Sequence, residues 1–226
     1  MAAWASVLHA LWIFLPAYVA NMSPVLVAKV IPGWKSPIDG GRMGKDGKRI
    51  LGPGKTWRGL VGGTILGGVT AGLVAIGAFH WALMDGWDYG AHAYYPHLPL
   101  GDEPAPCVPG EGCADLKVLW THPALIVLFG AFVGFMALVG DAVKSYFKRR
   151  IGKDRGRPWF PFDQLDFVVF GLLAMAIASP LLADGWVKAA LLDDWIILAT
   201  LIILTPLLHF LVNVLGYVLK LKDVPW

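Results

Sequence analysis

Long apolar stretches alternate with shorter polar stretches along the chain of 226 residues. A helix of roughly 20 apolar residues is long enough to cross a bilayer. The alternation therefore predicts five membrane-spanning helices, over residues about 4–31, 58–84, 121–146, 164–183 and 194–219. The longer polar segments between them are 32–57, 85–120 and 147–163. We expect an all-α integral membrane protein that forms a single transmembrane domain over residues 1–226.

The composition supports a membrane protein. Hydrophobic residues make up 57% of the chain, charged residues only 15%, and the mean hydropathy is +0.60. A soluble domain carries about 25% charged residues. The net charge of +3 is the sum over segments that differ strongly in charge.

Positive charges are concentrated in a few places along the chain. Every Lys and Arg except Lys117 and Lys188 lies within or beside 32–57, 147–163 and the C-terminal end. The positive-inside rule then places these segments in the cytoplasm and the N-terminus outside. Such a basic surface attracts anionic lipids or polyphosphates. Two short loops offer little surface for a nucleic-acid groove, so we expect no nucleic-acid partner.

The loop 85–120 is acidic and is predicted to lie on the outer side of the membrane. It contains both cysteines of the chain, Cys107 and Cys113. On an oxidising side, a disulfide between them would staple the loop. Two free thiols are the alternative.

The stretch "GPGKTWRGLVGG", residues 52–63, contains Gly54, Lys55 and Thr56 in the order that ends a nucleotide-binding P-loop. That motif also needs a glycine five residues before Gly54, and this position is Arg49. The preceding residues are polar and turn-rich, whereas a P-loop follows a strand. The lysine and the threonine therefore need another explanation.

Asp141 is a charged residue near the end of the third predicted span, where it is costly in lipid and opposed by the helix macrodipole. The same helix face carries Lys144, Ser145 and Lys148. One interpretation is an intrahelical ion pair with Lys144 or Lys148. The other is a ligand for a divalent metal, because Mg²⁺ prefers oxygen ligands.

Asp163 and Asp166 lie three residues apart at the start of the fourth predicted span. A helix would present both carboxylates on one face, as two metal ligands require. Acids are also favoured at a helix N-terminus, and Pro161 is a good helix starter. One of the two aspartates could therefore serve only as a cap.

Asn21 precedes Pro24 in the first span, where it either lines a cavity at a broken helix or repairs the hydrogen bond lost at the proline.

In the second span Gly59, Gly63 and Gly67 recur every fourth residue. Such a surface allows close helix packing, either within the chain or across a homodimer.

The segment "SYFKRRIGKDRGRPWFPFDQLD", residues 145–166, resembles the signature of the membrane CTP:phosphatidate cytidylyltransferases, the CDP-diacylglycerol synthases. The matching residues are Ser145, Lys148, Arg149, Lys153, Asp154, Gly156, Pro161, Asp163 and Asp166. The segment "GKTWRG" is similar to the family's Lys-Thr-Trp-Glu-Gly segment, with Arg58 in place of the glutamate. The short chain and reduced motif resemble the archaeal branch, the CDP-archaeol synthases.

The resemblance implies transfer of CMP from CTP to 2,3-bis-O-(geranylgeranyl)-sn-glycerol 1-phosphate at the cytoplasmic side of the cell membrane. It implies that Asp141, Asp163 and Asp166 hold one or two Mg²⁺ ions, with Lys144 acting beside them. The residues expected to bind CTP and its phosphates are Asn21, Lys55, Thr56, Arg58, Lys148, Arg149 and Lys153. The alternatives are phosphatidate as the lipid substrate, or an anion transporter in place of an enzyme.

Overall fold

The computed structural model describes residues 3–85, 123–153, 157, 159–182 and 195–221. Its helices in chain order are α1 (Ala3–Ile13), α2 (Leu15–Val30), α3 (Trp57–Asp85), α4 (Pro123–Arg150), α5 (Phe162–Leu182) and α6 (Trp195–Val218). Within these ranges there is no β-strand, only two isolated antiparallel bridges. The predicted all-helical class is confirmed. Residues 86–122, with Cys107, Cys113 and most of the acidic loop, lie outside the described residues, as do Asp154 and Gly156.

Two helical stretches in the described part of the chain are long and apolar enough to cross a membrane, Ala124–Arg150 and Trp195–Val218. The pair Ser6–Ile13 and Leu15–Val30 also qualifies when it is counted as one bent span. Large apolar side chains such as Leu128, Val169 and Ile203 are more than half exposed on the bundle surface. A bilayer is the solvent that suits such a surface.

Helix α4 extends beyond the third predicted span, which ends at residue 146. It continues to Arg150, so its last turn contains the basic residues Lys148, Arg149 and Arg150. Cations are favoured there by the helix macrodipole. The helix closes in a Schellman motif: Gly152 has φ +78°, and the Lys153 N–H donates to the Lys148 carbonyl at 3.0 Å.

The first predicted span is two helices, α1 and α2, which meet at Phe14 and are bent by 47°. The helix does not break at Pro24, which lies inside α2. Pro24 has no N–H to donate to the carbonyl of Ala20, and the Ser23 hydroxyl donates to that oxygen at 2.8 Å. The repair that was one of the two alternatives for Asn21 is therefore made by Ser23.

Glycines allow α3 to lie very close to α2 and α4. A Cβ on Gly67 would lie 2.9 Å from the Gly130 carbonyl oxygen and 3.1 Å from the Gly134 Cα. A Cβ on Gly63 would lie 3.0 Å from the carbonyl oxygen of Ala20 in α2. Backbones that approach this closely exclude any side chain. This glycine surface packs within the chain.

A buried apolar cluster joins α1 to α5 and α6. Phe14 at the α1–α2 bend packs with Phe167, Met175, Ile197 and Leu201, and all of these are fully or almost fully buried. This cluster holds the start of α5 against the bundle. It thereby positions the polar residues that precede Phe167.

We expect Gly67→Ala to destabilise the protein, because its new methyl group meets backbone atoms that cannot move independently. Overpacking of this kind costs about 1–3 kcal/mol, which is measurable as a lower thermal midpoint in detergent. Gly72→Ala is the matched control, since its Cβ would meet only a Val127 methyl group, at 3.1 Å. Equal midpoints for Gly67→Ala and the wild type would contradict the close packing of α3 on α4.

Candidate active site

Asp39 organises the first loop, which joins α2 to α3. Its side chain is 1% exposed. The carboxylate accepts hydrogen bonds from the backbone N–H groups of Leu51 and Gly41, both at 3.0 Å, from Gly52 at 3.4 Å, and from the Arg49 guanidinium at 2.8 Å. Burial alone would raise the pKa of Asp39, but these hydrogen bonds outweigh it and lower the pKa to about 2. The carboxylate is therefore ionised throughout the physiological pH range.

Arg150 docks the first loop against the end of α4. Its guanidinium donates to the Asp46 carboxylate at 2.5 Å and to the backbone carbonyls of Arg49 at 2.7 Å and Lys48 at 3.3 Å. The guanidinium carbon also lies 5.2 Å from the ring centroid of Tyr146, a cation–π distance. Two segments far apart in sequence form one surface here.

The lysine of "GKT" lies at the centre of the predicted site, where the ammonium of Lys55 forms an ion pair with Asp141. The threonine has a different role. The Thr56 hydroxyl oxygen accepts a hydrogen bond from the Gly59 N–H at 3.4 Å, as an N-cap of α3 does.

Arg58 contacts the end of α2 and lines neither charged cavity. Its guanidinium donates to the carbonyl oxygens of Ile31 at 2.7 Å and Pro32 at 3.2 Å. These carbonyls lie at the C-terminal end of α2, where helix acceptors lack helical partners. Arg58 therefore ties the end of α2 to the start of α3.

Three carboxylates surround the ammonium of Lys144. Its Nζ atom lies 2.9 Å from Asp141, 2.9 Å from Asp166 and 3.4 Å from Asp163. Lys148 contacts both carboxylate oxygens of Asp163, at 3.0 and 2.8 Å. The intrahelical pair considered for Asp141 is present, and it forms part of a larger cluster that joins α4 to α5.

Asp163 also begins α5. The Trp159 N–H donates to its carboxylate at 2.7 Å, and the Asp163 N–H donates to the Trp159 carbonyl at 2.9 Å. Such a reciprocal pair satisfies donors that a helix start leaves without partners. The helix-start interpretation is thus correct for Asp163, which contacts the lysines as well.

Asp166 is the most deeply buried member of the cluster, with a side chain 6% exposed. One of its oxygens lies 2.9 Å from the Lys144 ammonium, and the other has no side-chain partner with hydrogen-bond geometry among the described residues. Buried polar atoms in native proteins nearly always have such partners. The carboxylate therefore has capacity to accept a further ligand.

A charged cavity of about 160 Å³ opens on this cluster. Its lining residues are Leu51, Gly52, Pro53, Gly54, Lys55, Asp141, Lys144, Ser145, Lys148, Arg149 and Asp163. A second cavity of about 460 Å³, the basic cavity, adjoins it and is lined by Lys48, Arg49, Gly52, Pro53, Arg149, Gly152 and Lys153. Thr56 and Arg58 line neither cavity.

An apolar groove of about 450 Å³ lies beside α2, α5 and α6. Asn21, which was expected to bind CTP, lines this groove together with His209 and Asn213. Phe167 also lines it and directly follows Asp166 in α5. Consecutive residues of α5 therefore belong to the carboxylate cluster and to the groove.

The carboxylate cluster is the place where the sequence predicts a magnesium ion. As the residues lie, no group of three His, Cys, Asp or Glu side chains in the described ranges is arranged to hold a metal ion. Lys144 fills the space between the three carboxylates. The donor chemistry nevertheless fits, because all three side chains offer oxygen ligands, which Mg²⁺ prefers, and Asp166 has unused acceptor capacity.

Sequence reasoning missed Asp39, Lys48 and Arg49. A signal for Asp39 was present, since an aspartate followed by Gly40 and Gly41 is typical of a turn in which the side chain accepts backbone hydrogen bonds. Nothing comparable marked Lys48 or Arg49, which lie among many basic residues of the same loop.

The helices and the charged cavities define an all-helical membrane protein in which lysines, arginines and carboxylates line adjoining cavities. A family model described as CarS-like CDP-archaeol synthase matches residues 4–84 and 117–226. A CDP-archaeol synthase of Methanocorpusculum labreanum is 37% identical over 218 residues, covering 94% of this chain and 99% of the relative. One of Thermococcus onnurineus is 38% identical over 221 residues, covering 98% of both chains.

A solved intramembrane enzyme for archaeal membrane lipid biosynthesis is also similar. It is 27% identical with a TM-score of 0.50, and the match covers 82% of this chain and 90% of that one. The chain belongs to the CDP-archaeol synthase family. The resemblance to the archaeal branch is confirmed.

We expect Thr56→Ala to lower stability, because it removes the cap of α3. Loss of an N-cap costs about 1 kcal/mol, which thermal unfolding in detergent measures. Thr56→Ser keeps the hydroxyl and should retain the wild-type midpoint. A Thr56→Ala protein as stable as the wild type would show that the hydroxyl does not cap the helix.

Proposed function

We propose that this chain is a nucleotidyltransferase that transfers CMP from CTP to 2,3-bis-O-(geranylgeranyl)-sn-glycerol 1-phosphate and releases pyrophosphate. The observation that carries the proposal is the charged cavity, which is lined by two carboxylates, Asp141 and Asp163, and by three lysines from α4 and the first loop. Asp166 contacts one of these lysines, Lys144, at 2.9 Å. Membership in the CDP-archaeol synthase family supports the choice of reaction and substrates.

The proposed reaction joins two anions. An oxygen of the lipid phosphate attacks the α-phosphorus of CTP, the bond to the β-phosphate oxygen breaks, and pyrophosphate leaves. No covalent intermediate with the protein is required, so catalysis consists of positioning and charge stabilisation. A site rich in lysine beside carboxylates meets this requirement.

Lys55, Lys144 and Lys148 are the candidate cations for the reacting phosphates. Each contacts a carboxylate of the cluster, so each is held in place before substrate arrives. Groups that are oriented in advance need no reorganisation during the reaction, which increases their effect on the transition state. Arg149 lines the same cavity and adds a fourth positive charge.

Asp141, Asp163 and Asp166 are the candidate ligands for Mg²⁺. When bound, the ion would supply charge neutralisation and would orient the phosphates. Lys144 now lies between these carboxylates, so it must withdraw from them for the ion to bind. A nearby phosphate would stabilise the ammonium in its new position.

The apolar groove is the candidate site for the prenyl chains. Phe167, which lines the groove, directly follows Asp166 of the cluster in α5, and we propose that a lipid in the groove places its phosphate at the carboxylates. We further propose five membrane spans, with α1 and α2 forming one bent span, and the charged cavity on the cytoplasmic side. The basic residues around the cavity support this orientation through the positive-inside rule.

The purified full-length chain in detergent, supplied with CTP and Mg²⁺, should convert the prenyl-ether glycerol phosphate to its CDP-lipid, detected by mass spectrometry. Chelation with EDTA should stop product formation, and excess Mg²⁺ should restore it. A parallel reaction with diacyl phosphatidate tests the lipid assignment. Product from phosphatidate alone would overturn the substrate, whereas anion transport without a CDP-lipid would overturn the reaction.

Asp141→Asn and Asp163→Asn should each reduce kcat about 100-fold or more, since each removes a proposed ligand of the Mg²⁺ ion that would orient the reacting phosphates. Both proteins should remain folded and inserted in the membrane. Asp102→Asn is the control, because it makes the same chemical change in the acidic loop 85–120. Near-normal turnover in either test variant would remove that residue from the site.

A further inference from the structure

We propose that the apolar groove recognises the glycerol of the lipid phosphate through a polar patch, which consists of Asn21, His209 and Asn213. The patch would supply hydrogen bonds to the two glycerol oxygens that carry the prenyl chains. This inference rests on the proposed function, which assigns the prenyl chains to the groove. It gives Asn21 a role in binding the lipid instead of CTP.

The groove forms because α2 leaves α6 at the bend that follows α1. Helix α1 packs along α6, whereas α2 packs against α3 and α4. The bend of 47° lies at Phe14, and shortly after it the hydroxyl groups of Tyr18 and Thr205 are hydrogen-bonded at 2.6 Å. Beyond this contact, residues of α2 and α6 line opposite sides of a space of about 450 Å³.

Donor groups are rare among the side chains that line this groove. Besides the polar patch, Tyr18 is the lining residue whose side chain carries a donor, and its hydroxyl is paired with Thr205. The other lining residues are leucine, valine, methionine, phenylalanine and glycine. Polar side chains within a membrane domain are costly and commonly mark a functional site. Ligand pockets use a few such groups to orient a largely apolar ligand.

His209 is held at the level of Phe167, since the centroids of the two rings lie 6.1 Å apart. The Asn213 amide N–H donates to His209 Nδ1 at 3.2 Å. This bond requires Nδ1 to be an acceptor, so the ring proton is on Nε2. Asn213 is thereby a positioning residue, because it selects the tautomer in which His209 Nε2 is a donor.

Asn21 lies on the α2 side of the groove. It follows Tyr18 by three residues, and the Tyr18 ring centroid lies 5.7 Å from that of Phe167. Farther along α2, Pro24 packs against the start of α3, where a Cβ on Gly59 would lie 3.1 Å from the Pro24 Cβ atom. Along α2, Asn21 is therefore placed between the level of Phe167 and the level at which α3 begins.

The glycerol oxygens are the part of the lipid that matches these donors. The prenyl chains are hydrocarbon and offer no acceptor, so they gain nothing from N–H groups in the groove. The two ether oxygens can each accept a hydrogen bond. The glycerol is bonded directly to the phosphate, so a phosphate at Asp166 would keep these oxygens near Phe167, the next residue of α5. The rings of His209 and Tyr18 contact Phe167 at this level.

The test compares two lipid phosphates that differ in these oxygens. The purified full-length protein in detergent, with EDTA and without CTP, is titrated by calorimetry with the prenyl-ether glycerol phosphate and with geranylgeranyl phosphate, which has no glycerol. Asn21→Leu and His209→Phe should each weaken binding of the ether lipid about three- to tenfold, the usual effect of losing one hydrogen bond. Neither should change the affinity for geranylgeranyl phosphate. Met22→Leu is the matched control, because Met22 lines the same groove and has no donor group.

In turnover assays, Asn21→Leu should raise the KM for the ether lipid by a similar factor, with the KM for CTP unchanged. Equal losses of affinity for both lipid phosphates would assign the patch to helix packing and overturn the proposal. Unchanged affinity of both variants for the ether lipid would also overturn it. The binding measurement needs neither CTP nor turnover, so its failure refutes this inference alone. A wild type that binds the ether lipid as expected but forms no CDP-lipid would refute the reaction alone.

Discussion

The site depends on the ion pairs between the ammonium of Lys144 and three carboxylates. Three carboxylates brought together at the end of a helix bundle repel one another, and burial removes the water that would screen them. Lys144 lies within 3.4 Å of all three. It thereby compensates the charge of α4 and α5 at the position where these helices meet. In the proposed reaction, the cation that balances these carboxylates is also suited to bind an incoming phosphate.

The first loop reaches this cluster through a series of contacts that begins in the apolar part of the bundle. Close glycine packing sets α3 against α2 and α4, which places Lys55 beside Asp141. Asp39 and Arg150 then fix the rest of the loop over the end of α4. The charged cavity is thereby assembled from the first loop, α4 and α5.

Several features follow from local sequence alone. The length of the apolar runs determines helices that suit a membrane, and a charge inside such a run is conspicuous because it is costly. Asp141, Asp163 and Asp166 could therefore be identified before any contact was known. Thr56 and Arg58 lie in the same motif as Lys55, but their side chains form hydrogen bonds at helix ends. The motif alone does not distinguish a residue at a helix end from a residue that lines the cavity.

Other features were decided only by the tertiary structure. The position of Lys144 between α4 and α5, the role of Asp39 and the extension of α4 to Arg150 all depend on contacts between distant segments or on the charge environment of a helix end. The sequence by itself determined the membrane-helical class, the family and the carboxylates. Tertiary structure decided which cations meet them and where Asn21 lies, because close helix packing brings together residues that no local pattern relates.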